Sequence, residues 1–365
     1  MLKSLSVKNF RNLSITDLKL KSGVTVIVGG NGQGKTNLIE AVYVLSYGRP
    51  FRGEKKETIN WNSQEAEVFG ETTKGAIRIF LRRDGETRVV VNNKTKPLAA
   101  VFGRFVSVLF HPGEIELIGG PPALRRSWLD KLIATIDRSY LFDLVNYNRA
   151  IINRNRLLKI SGGKAAEEEL ETWDRVLTKY GVGIWKTREK QLDALNKIIR
   201  KSAIGLVGKQ LSLDYKIPIR FVNEQADKKS FLAGLAERRG LDRRILLTSF
   251  GPHRDDFRVI VEEADDQTII EKDIGLFGSR AEQRQATIIL NLACAELFSQ
   301  VFGEAPTILL DDVTSELDEK NKNLLLAHIN ARQILITVSS LEQLTDSFRR
   351  KATVFKIDGG KIIGP

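Results

Sequence analysis

The sequence predicts an α/β fold in which one mixed β-sheet is assembled from both chain ends, with a helical second lobe between them. Three observations predict it. Short apolar segments separated by turn residues occupy the first 28 residues and recur over 66–92, and fully apolar segments of the kind buried in parallel sheets return at 307–310 and 333–338. Between them, 121–204 carries long helical periodicity. A glycine-rich element at 29–36 follows an apolar strand and opens a helix, the strand–loop–helix order of α/β proteins that hold phosphates. The 365 residues suffice for two domains and not for three. The expected division puts 1–120 and 245–365 in one lobe and 121–244 in the other.

Taken in order, strands are expected at 2–7, 17–20 and 24–28, the last bounded by Ser22-Gly23 and Gly29-Gly30. A helix over 36–47 places Leu38, Ile39, Val42 and Leu45 on one face. Further strands are expected at 66–69, 76–81 and 88–91, with Asp84-Gly85 turning the chain between the last two. After Pro121-Pro122 one arginine-rich helix is expected over 124–160, closed by Ser161-Gly162-Gly163, and a second over 165–204, interrupted at most by Gly181 and Gly183. Short strands and loops follow Pro218. Then come a helix over 281–302, the strand 307–310, a helix over 319–329, the strand 333–338, and a hairpin over 354–363 around Asp358-Gly359-Gly360. There is no internal repeat and no low-complexity tract.

A composition of 42% hydrophobic and 28% charged residues excludes disorder as the ground state. The lone Cys294 excludes a disulfide framework and cysteine-based zinc or iron–sulfur sites, and His111, His253 and His328 are too scattered for a histidine metal site. The first residues carry Lys3, Lys8 and Arg11 and no apolar signal region, and the longest apolar runs are broken by Asn291 or Asp311, so a cytoplasmic protein without a membrane span is expected. The net charge of +12 is uneven. Residues 1–100 hold 17 basic against 9 acidic residues, 101–250 hold 27 against 17, and 251–365 hold 13 against 19. Such a basic N-terminal two-thirds suits a polyanionic partner.

Three motifs carry chemistry. Gly29-Gly30-Asn31-Gly32-Gln33-Gly34-Lys35-Thr36 fits GxxxxGK[ST]. In that pattern glycines let the backbone wrap phosphates, loop N–H groups and the helix N-terminus hold the anion, Lys35 reaches the β- and γ-phosphates, and Thr36 offers a hydroxyl to Mg²⁺. The apolar strand at 307–310 ends in Asp311-Asp312. Asp311 suits a carboxylate holding Mg²⁺ through water, and Asp312 suits the position that activates the attacking water. The third, Ser279-Arg280-Ala281-Glu282-Gln283-Arg284, reads equally as an N-cap with a capping box and as a helix N-terminus that faces a γ-phosphate.

The set and its order resemble the RecF family, bacterial recombination and replication-repair ATPases related to SMC proteins. The resemblance is carried by Asn9-Phe10-Arg11-Asn12, by 31–41 and by Gly48-Arg49-Pro50-Phe51-Arg52. It continues through Pro112-Gly113-Glu114, 119–130, Gly251-Pro252-His253-Arg254-Asp255-Asp256 and 309–318, nearly the whole chain. It implies an ABC-type ATPase head, in which Asn37, Arg11 and Asn12 approach the nucleotide and Ser279 covers the γ-phosphate bound by a second protomer. Three positions depart from the family pattern. Ala281 replaces the signature glycine, Pro50 stands where serine is usual, and Val338-Ser339-Ser340 follows the strand at 333–338, leaving Thr337 or Ser339 to sense the γ-phosphate.

The resemblance further implies an ATP-dependent homodimer that clamps DNA near single-strand/double-strand junctions, helps load recombinase at gaps with RecR as partner, and hydrolyses ATP slowly for release. The interval between the phosphate loop and Ser279 is too short for the long coiled-coil arms of SMC proteins. Arg78, Arg82, Arg83 and Arg88 on the N-terminal strands, with Arg154, Arg156 and Lys159 on the helical hairpin, are the candidate contacts to DNA phosphates. The competing reading is an ATPase regulator that acts on a protein partner.

Overall fold

The computed structural model describes residues 1–201, 210–265, 268–313, 332–344 and 346–364, together with the isolated positions Leu325 and Ile329. Apart from those two positions, the expected helix over 319–329 lies outside the described residues, as does the segment 314–318. The chain forms two compact units, Met1–Ile115 with Arg284–Pro365, and Glu116–Gln283.

The first unit contains two six-stranded sheets. One is antiparallel, in the order β2-β1-β4-β5-β6-β7, from β1 (Leu2–Phe10), β2 (Leu13–Lys19), β4 (Glu65–Thr72), β5 (Gly75–Arg82), β6 (Thr87–Val91) and β7 (Lys94–Lys96). The other has the order β15-β14-β3-β13-β12-β8. Its parallel strands are β3 (Val24–Val28), β8 (Ser107–Phe110), β12 (Thr307–Asp311), β13 (Ile334–Val338) and β14 (Ala352–Asp358), closed by antiparallel β15 (Lys361–Ile363). N-terminal β3 thus pairs on both sides with C-terminal strands. Gln333 ties the two chain ends together: its amide donates to Leu2 O at 2.7 Å and Lys21 O at 3.1 Å, while its oxygen accepts from Leu2 N and the Thr307 hydroxyl.

Helix α1 (Lys35–Tyr47) was expected to be amphipathic. Instead it is buried on nearly every face. It packs between the sheets, and one apolar cluster joins Leu5, Val7, Val68 and Ile79 of the antiparallel sheet, Leu38, Val42 and Leu45 of α1, and Ile27, Leu309 and Leu335 of the parallel one. A helix between two apolar faces has no solvent side, so its sequence shows no polar stripe.

The second unit is mostly helical, with α2 (Glu116–Gly119), α3 (Pro122–Ile136), α4 (Arg138–Ile160), α5 (Glu167–Lys201), α6 (Glu224–Ile245) and α7 (Ile274–Phe277). The helix expected over 124–160 is two helices. Asp137 leaves helical geometry and caps α4, accepting from Ser139 N at 2.8 Å and Tyr140 N at 3.1 Å. The glycines in α5 do not interrupt it, because Gly181 serves close packing: a Cβ there would lie 2.4 Å from the Phe231 ring. The loops expected after Pro218 include α6, capped by Asn223 through Ala226 N at 2.9 Å. It buries little apolar surface, so its periodicity was weak.

A small antiparallel sheet, β11-β10-β9, is made by β9 (Gln210–Tyr215), β10 (Phe257–Asp265) and β11 (Thr268–Asp273). Pairing of β10 with β9 draws 245–283, expected with the chain ends, into the helical unit. Helix α8 (Arg280–Phe302) follows. By length and composition α8 is apolar enough to cross a bilayer, contrary to the expectation that no segment would be, but most of it is buried within the protein. A short helix, α9 (Asp346–Lys351), precedes β14.

Candidate nucleotide-binding site

The glycine-rich element lies between β3 and α1, as its sequence context required. Gly34 caps α1 with φ of 111°, a conformation costly for any side chain, and a Cβ there would lie 2.8 Å from the Asn12 side-chain oxygen. Lys35 is buried and curls back over the loop, its ammonium donating to Gly29 O at 2.8 Å and Gly30 O at 3.0 Å. The cation is therefore held at the mouth of the cradle by carbonyls, weak partners that a phosphate group can replace. The loop's far side is fixed by the closing hairpin, where Gly359 N donates to Gln33 Oε1 at 2.6 Å and Gly360 N to Gln33 O at 3.0 Å.

Asp311 ends β12 beside this cradle. Thr36 Oγ1 donates to its Oδ1 at 3.0 Å, and Thr337 Oγ1, at the end of neighbouring β13, donates to the same oxygen at 2.9 Å. Burial pushes the Asp311 carboxyl above the usual carboxylate range; the Thr337 and Thr36 hydroxyls and Arg52 oppose that shift, and Asp312 adds to it. A buried acid next to the phosphate-loop hydroxyl fits a divalent cation, which would relieve the cost of its charge. Among the described residues no cluster of three or more His, Cys, Asp or Glu is arranged to hold a metal by itself. A cation here would take its remaining ligands from phosphates and water, the usual habit of Mg²⁺. Asp312 turns away from the strand with φ of 53°, its N–H donating to Thr337 Oγ1 at 2.9 Å. Thr337 is fully buried and committed to the two aspartates, whereas Ser339 is exposed just past the strand end.

Arg11 and Asn12 meet the loop from the β1–β2 turn. Asn12 Nδ2 donates to Gly32 O at 3.2 Å and its Oδ1 accepts from Asn37 Nδ2 at 2.7 Å. Arg11, with φ of 52°, pairs with Glu40 and donates to Arg52 O at 3.0 Å. Arg52 in turn donates to Asn37 Oδ1 and approaches Glu40 at 3.5 Å. Glu40 organises both arginines, and the sequence reading missed it. The available signal was a carboxylate on a helix face that should be apolar.

Ser279 lies in the second unit, where the capping-box geometry is realised: Ser279 N donates to Glu282 Oε2 at 2.8 Å and Glu282 N to Ser279 Oγ at 3.2 Å. Ser279 and Ala281 are exposed. The Gly-Pro-His-Arg-Asp-Asp segment is a hydrogen-bonded turn. Thr248 O accepts from His253 Nε2 at 2.9 Å, which leaves Nδ1 to accept from Tyr147 Oη at 2.8 Å. Arg125 grips Asp256 through two bonds of 2.6 and 2.9 Å.

The candidate DNA contacts divide sharply. Arg154 is a correction: it is wholly buried, paired with Asp174 at 2.8 Å and Asp242 at 2.7 Å, and cannot reach a phosphate. Its helical position facing α5 and α6 decided that, and the local sequence did not show it. Arg156 and Lys159 on the same helix are exposed. On the antiparallel sheet Arg78 stacks on Phe69 and pairs with Glu67, and Arg88 stacks on Phe80. Arg82 pairs with Asp84 and Glu86 in the following turn. Arg83 is spent on three carbonyls, those of Ser63, Asn60 and Trp61.

Residues 1–362 match the RecF/RecN/SMC N terminal domain model. A DNA replication and repair protein RecF from Caldanaerobacter subterraneus is 35% identical over 93% of this chain and 94% of its own length, and one from Clostridium beijerinckii is 33% identical over 99% and 98%. Among solved structures, the recombination mediator protein RecF with ATP in the RecFOR pathway superposes with a TM-score of 0.88 at 33% identity, covering 99% of this chain and 96% of its own. An Smc head domain with a coiled coil and joint from Pyrococcus yayanosii matches at a TM-score of 0.54 and 14% identity over 100% and 96%, a likeness of fold alone. The phosphate loop, the buried acid beside it and full-length similarity agree: the chain belongs to the RecF family.

Proposed function

We propose that this protein is an ATP-dependent DNA-binding protein of recombinational repair and replication, working in the cytoplasm. The observation that carries the reading is the meeting of Lys35, Thr36 and Asp311 at one cradle. The names of the relatives and of the ATP-bound neighbour support it. In this reading the loop N–H groups and Lys35 hold the β- and γ-phosphate charge. Thr36 and Asp311 would hold Mg²⁺, which would neutralise charge developing on the phosphates. Asp312 orients and deprotonates the attacking water, and slow turnover makes the protein a timer more than a motor. Asn37, Arg11 and Asn12 approach the nucleotide from the side.

Each chain has one phosphate loop and one Ser279 helix start, so ATP joins two copies, with Ser279 of one covering the γ-phosphate on the other. The closed homodimer holds duplex near single-strand/double-strand junctions and works with RecR to load recombinase at gaps. Arg78, Arg82, Arg88, Arg156 and Lys159 supply sequence-independent phosphate contacts.

Binding of fluorescent duplex, followed by anisotropy with and without ATP across a salt series, tests this. The expected outcome is ATP-dependent binding whose log affinity falls linearly with log salt, and its loss in Lys35→Ala. ATP turnover with a flat salt response would favour a regulator acting on a protein partner, and unchanged ATP binding by Lys35→Ala would reject the nucleotide site itself.

A further inference from the structure

Helix α4 of the second unit carries apolar residues on two opposite faces. Its inward face, with Tyr140, Tyr147, Ala150 and Leu158, is buried. Asp143, the only acid in the helix, leans toward α5, where a Cβ added at Gly183 would lie 2.9 Å from its carboxylate. About half a turn round the helix, Phe142, Val145, Ile152 and Ile160 stand in solvent, between 39 and 75% exposed. Arg149, Arg156 and Lys159 lie among them and are exposed too. One apolar stripe packs a helix on its own core; a second stripe opposite the first adds nothing to folding and marks a surface for something else.

The spacing of the outer stripe says what kind of surface it is. From Phe142 the steps to Val145, Arg149, Ile152, Arg156 and Lys159 are three, four, three, four and three residues. That is the a/d seam of a coiled coil, continued over about 26 Å of helix. Such a seam receives another helix, because side chains at a and d enter holes between four residues of a partner. Half of its positions, Arg149, Arg156 and Lys159, are cations, and among the described residues none of the three makes an ion pair or a hydrogen bond. No carboxylate shares the face. Cations on the antiparallel sheet differ, Arg78 being paired with Glu67 and Arg82 with Asp84.

We propose that this face of α4 docks an acidic amphipathic helix of a protein partner, whose apolar residues cover Phe142, Val145 and Ile152 and whose flanking carboxylates meet Arg149 and Arg156. Duplex DNA would pair the cations but leave four large apolar side chains against phosphates. A second copy presents the same face and brings no carboxylate to it. An acidic helix satisfies both sets, since carboxylates at its e and g positions reach cations in the seam opposite. The inference goes beyond the nucleotide-site reading and does not depend on it. It takes Arg156 and Lys159 from the DNA contacts proposed above.

The full chain without nucleotide is titrated, by fluorescence anisotropy, with a labelled three-heptad peptide carrying leucine at a and d and glutamate at e and g. A counterpart carries lysine at e and g. The acidic peptide should bind and the basic one should not. Ile152→Ser, which keeps every charge, should weaken the acidic peptide about 5- to 50-fold. Arg149→Glu combined with Arg156→Glu should weaken it about 5- to 30-fold and give the basic peptide an affinity it lacked. Loss of folding cannot produce that exchange of preference. No binding of the acidic peptide, or binding that both variants retain, overturns the proposal. So does a paired reversal that costs affinity for duplex DNA while Ile152→Ser leaves the acidic peptide untouched, which makes the face a DNA surface. Nucleotide-free dimers that Ile152→Ser dissociates in sedimentation would give the face to a second copy and overturn it as well.

Discussion

Replacing Thr337 by valine removes one hydroxyl and almost no volume, which makes it a sharp probe of the Asp311–Asp312 arrangement. In the parent that hydroxyl donates to Asp311 Oδ1 at 2.9 Å and accepts from Asp312 N at 2.9 Å, and the side chain is wholly buried. Valine deletes a hydrogen bond to a carboxylate, worth about 1.5–3 kcal/mol, and strands a backbone N–H at a cost of about 1–3 kcal/mol. Relaxation and water entry recover part, so the expected net loss is about 2–4 kcal/mol. In a unit of about 200 residues that lowers the melting temperature by roughly 5–15 °C. A second consequence has a definite sign. Thr337 opposes the upward push that burial gives Asp311, so its loss should raise that carboxyl further. Mg²⁺ must then displace a proton over a wider pH range. Calorimetry without nucleotide gives the first quantity, and Mg-ATP affinity between pH 5 and pH 8 gives the second. The variant should lose more affinity at pH 5 than at pH 8. A melting temperature within 1–2 °C of the parent, together with an unchanged pH profile, would refute the claim that Thr337 organises this pair.

Arg154→Leu should cost about 3–5 kcal/mol, because Asp242 and Asp174 lose a partner in the core; urea unfolding measures it, and the salt slope of DNA binding by the folded fraction should not change. Ser279→Arg should leave ATP binding to single chains intact and prevent ATP-driven dimerisation, with sedimentation as the readout; a normal dimer would remove Ser279 from the partner's site. Burial and the nearby Arg254 and Arg126 press His253 down to about 4. The unfolded chain therefore binds the extra proton below about pH 6.5, and this contribution, present above that pH, is lost as pH falls toward 4, to an extent on the order of 3 kcal/mol. His253→Asn should flatten the stability slope between pH 4.5 and 6.5 when compared with the parent by urea unfolding.

The sequence by itself determined the local chemistry and the order of the elements around it. GxxxxGK[ST] after an apolar strand, and an apolar strand ending in two aspartates, are short-range patterns whose geometry follows from neighbouring residues, so Lys35, Thr36 and Asp311 were legible without a fold. The β5–β6 hairpin at Asp84-Gly85 and the Ser279 capping box were legible for the same reason. Tertiary structure decided what depends on partners distant in the chain. It turned Arg154 from a surface cation into a core ion pair, made Glu40 the anchor of Arg11 and Arg52, and assigned Thr337 to the aspartates. It also joined 245–283 to the helical unit through the pairing of β10 with β9. A charged side chain looks the same in sequence whether solvated or paired. Its environment is set by elements tens to hundreds of residues away, and burial together with the dielectric it brings exists only once those elements have packed.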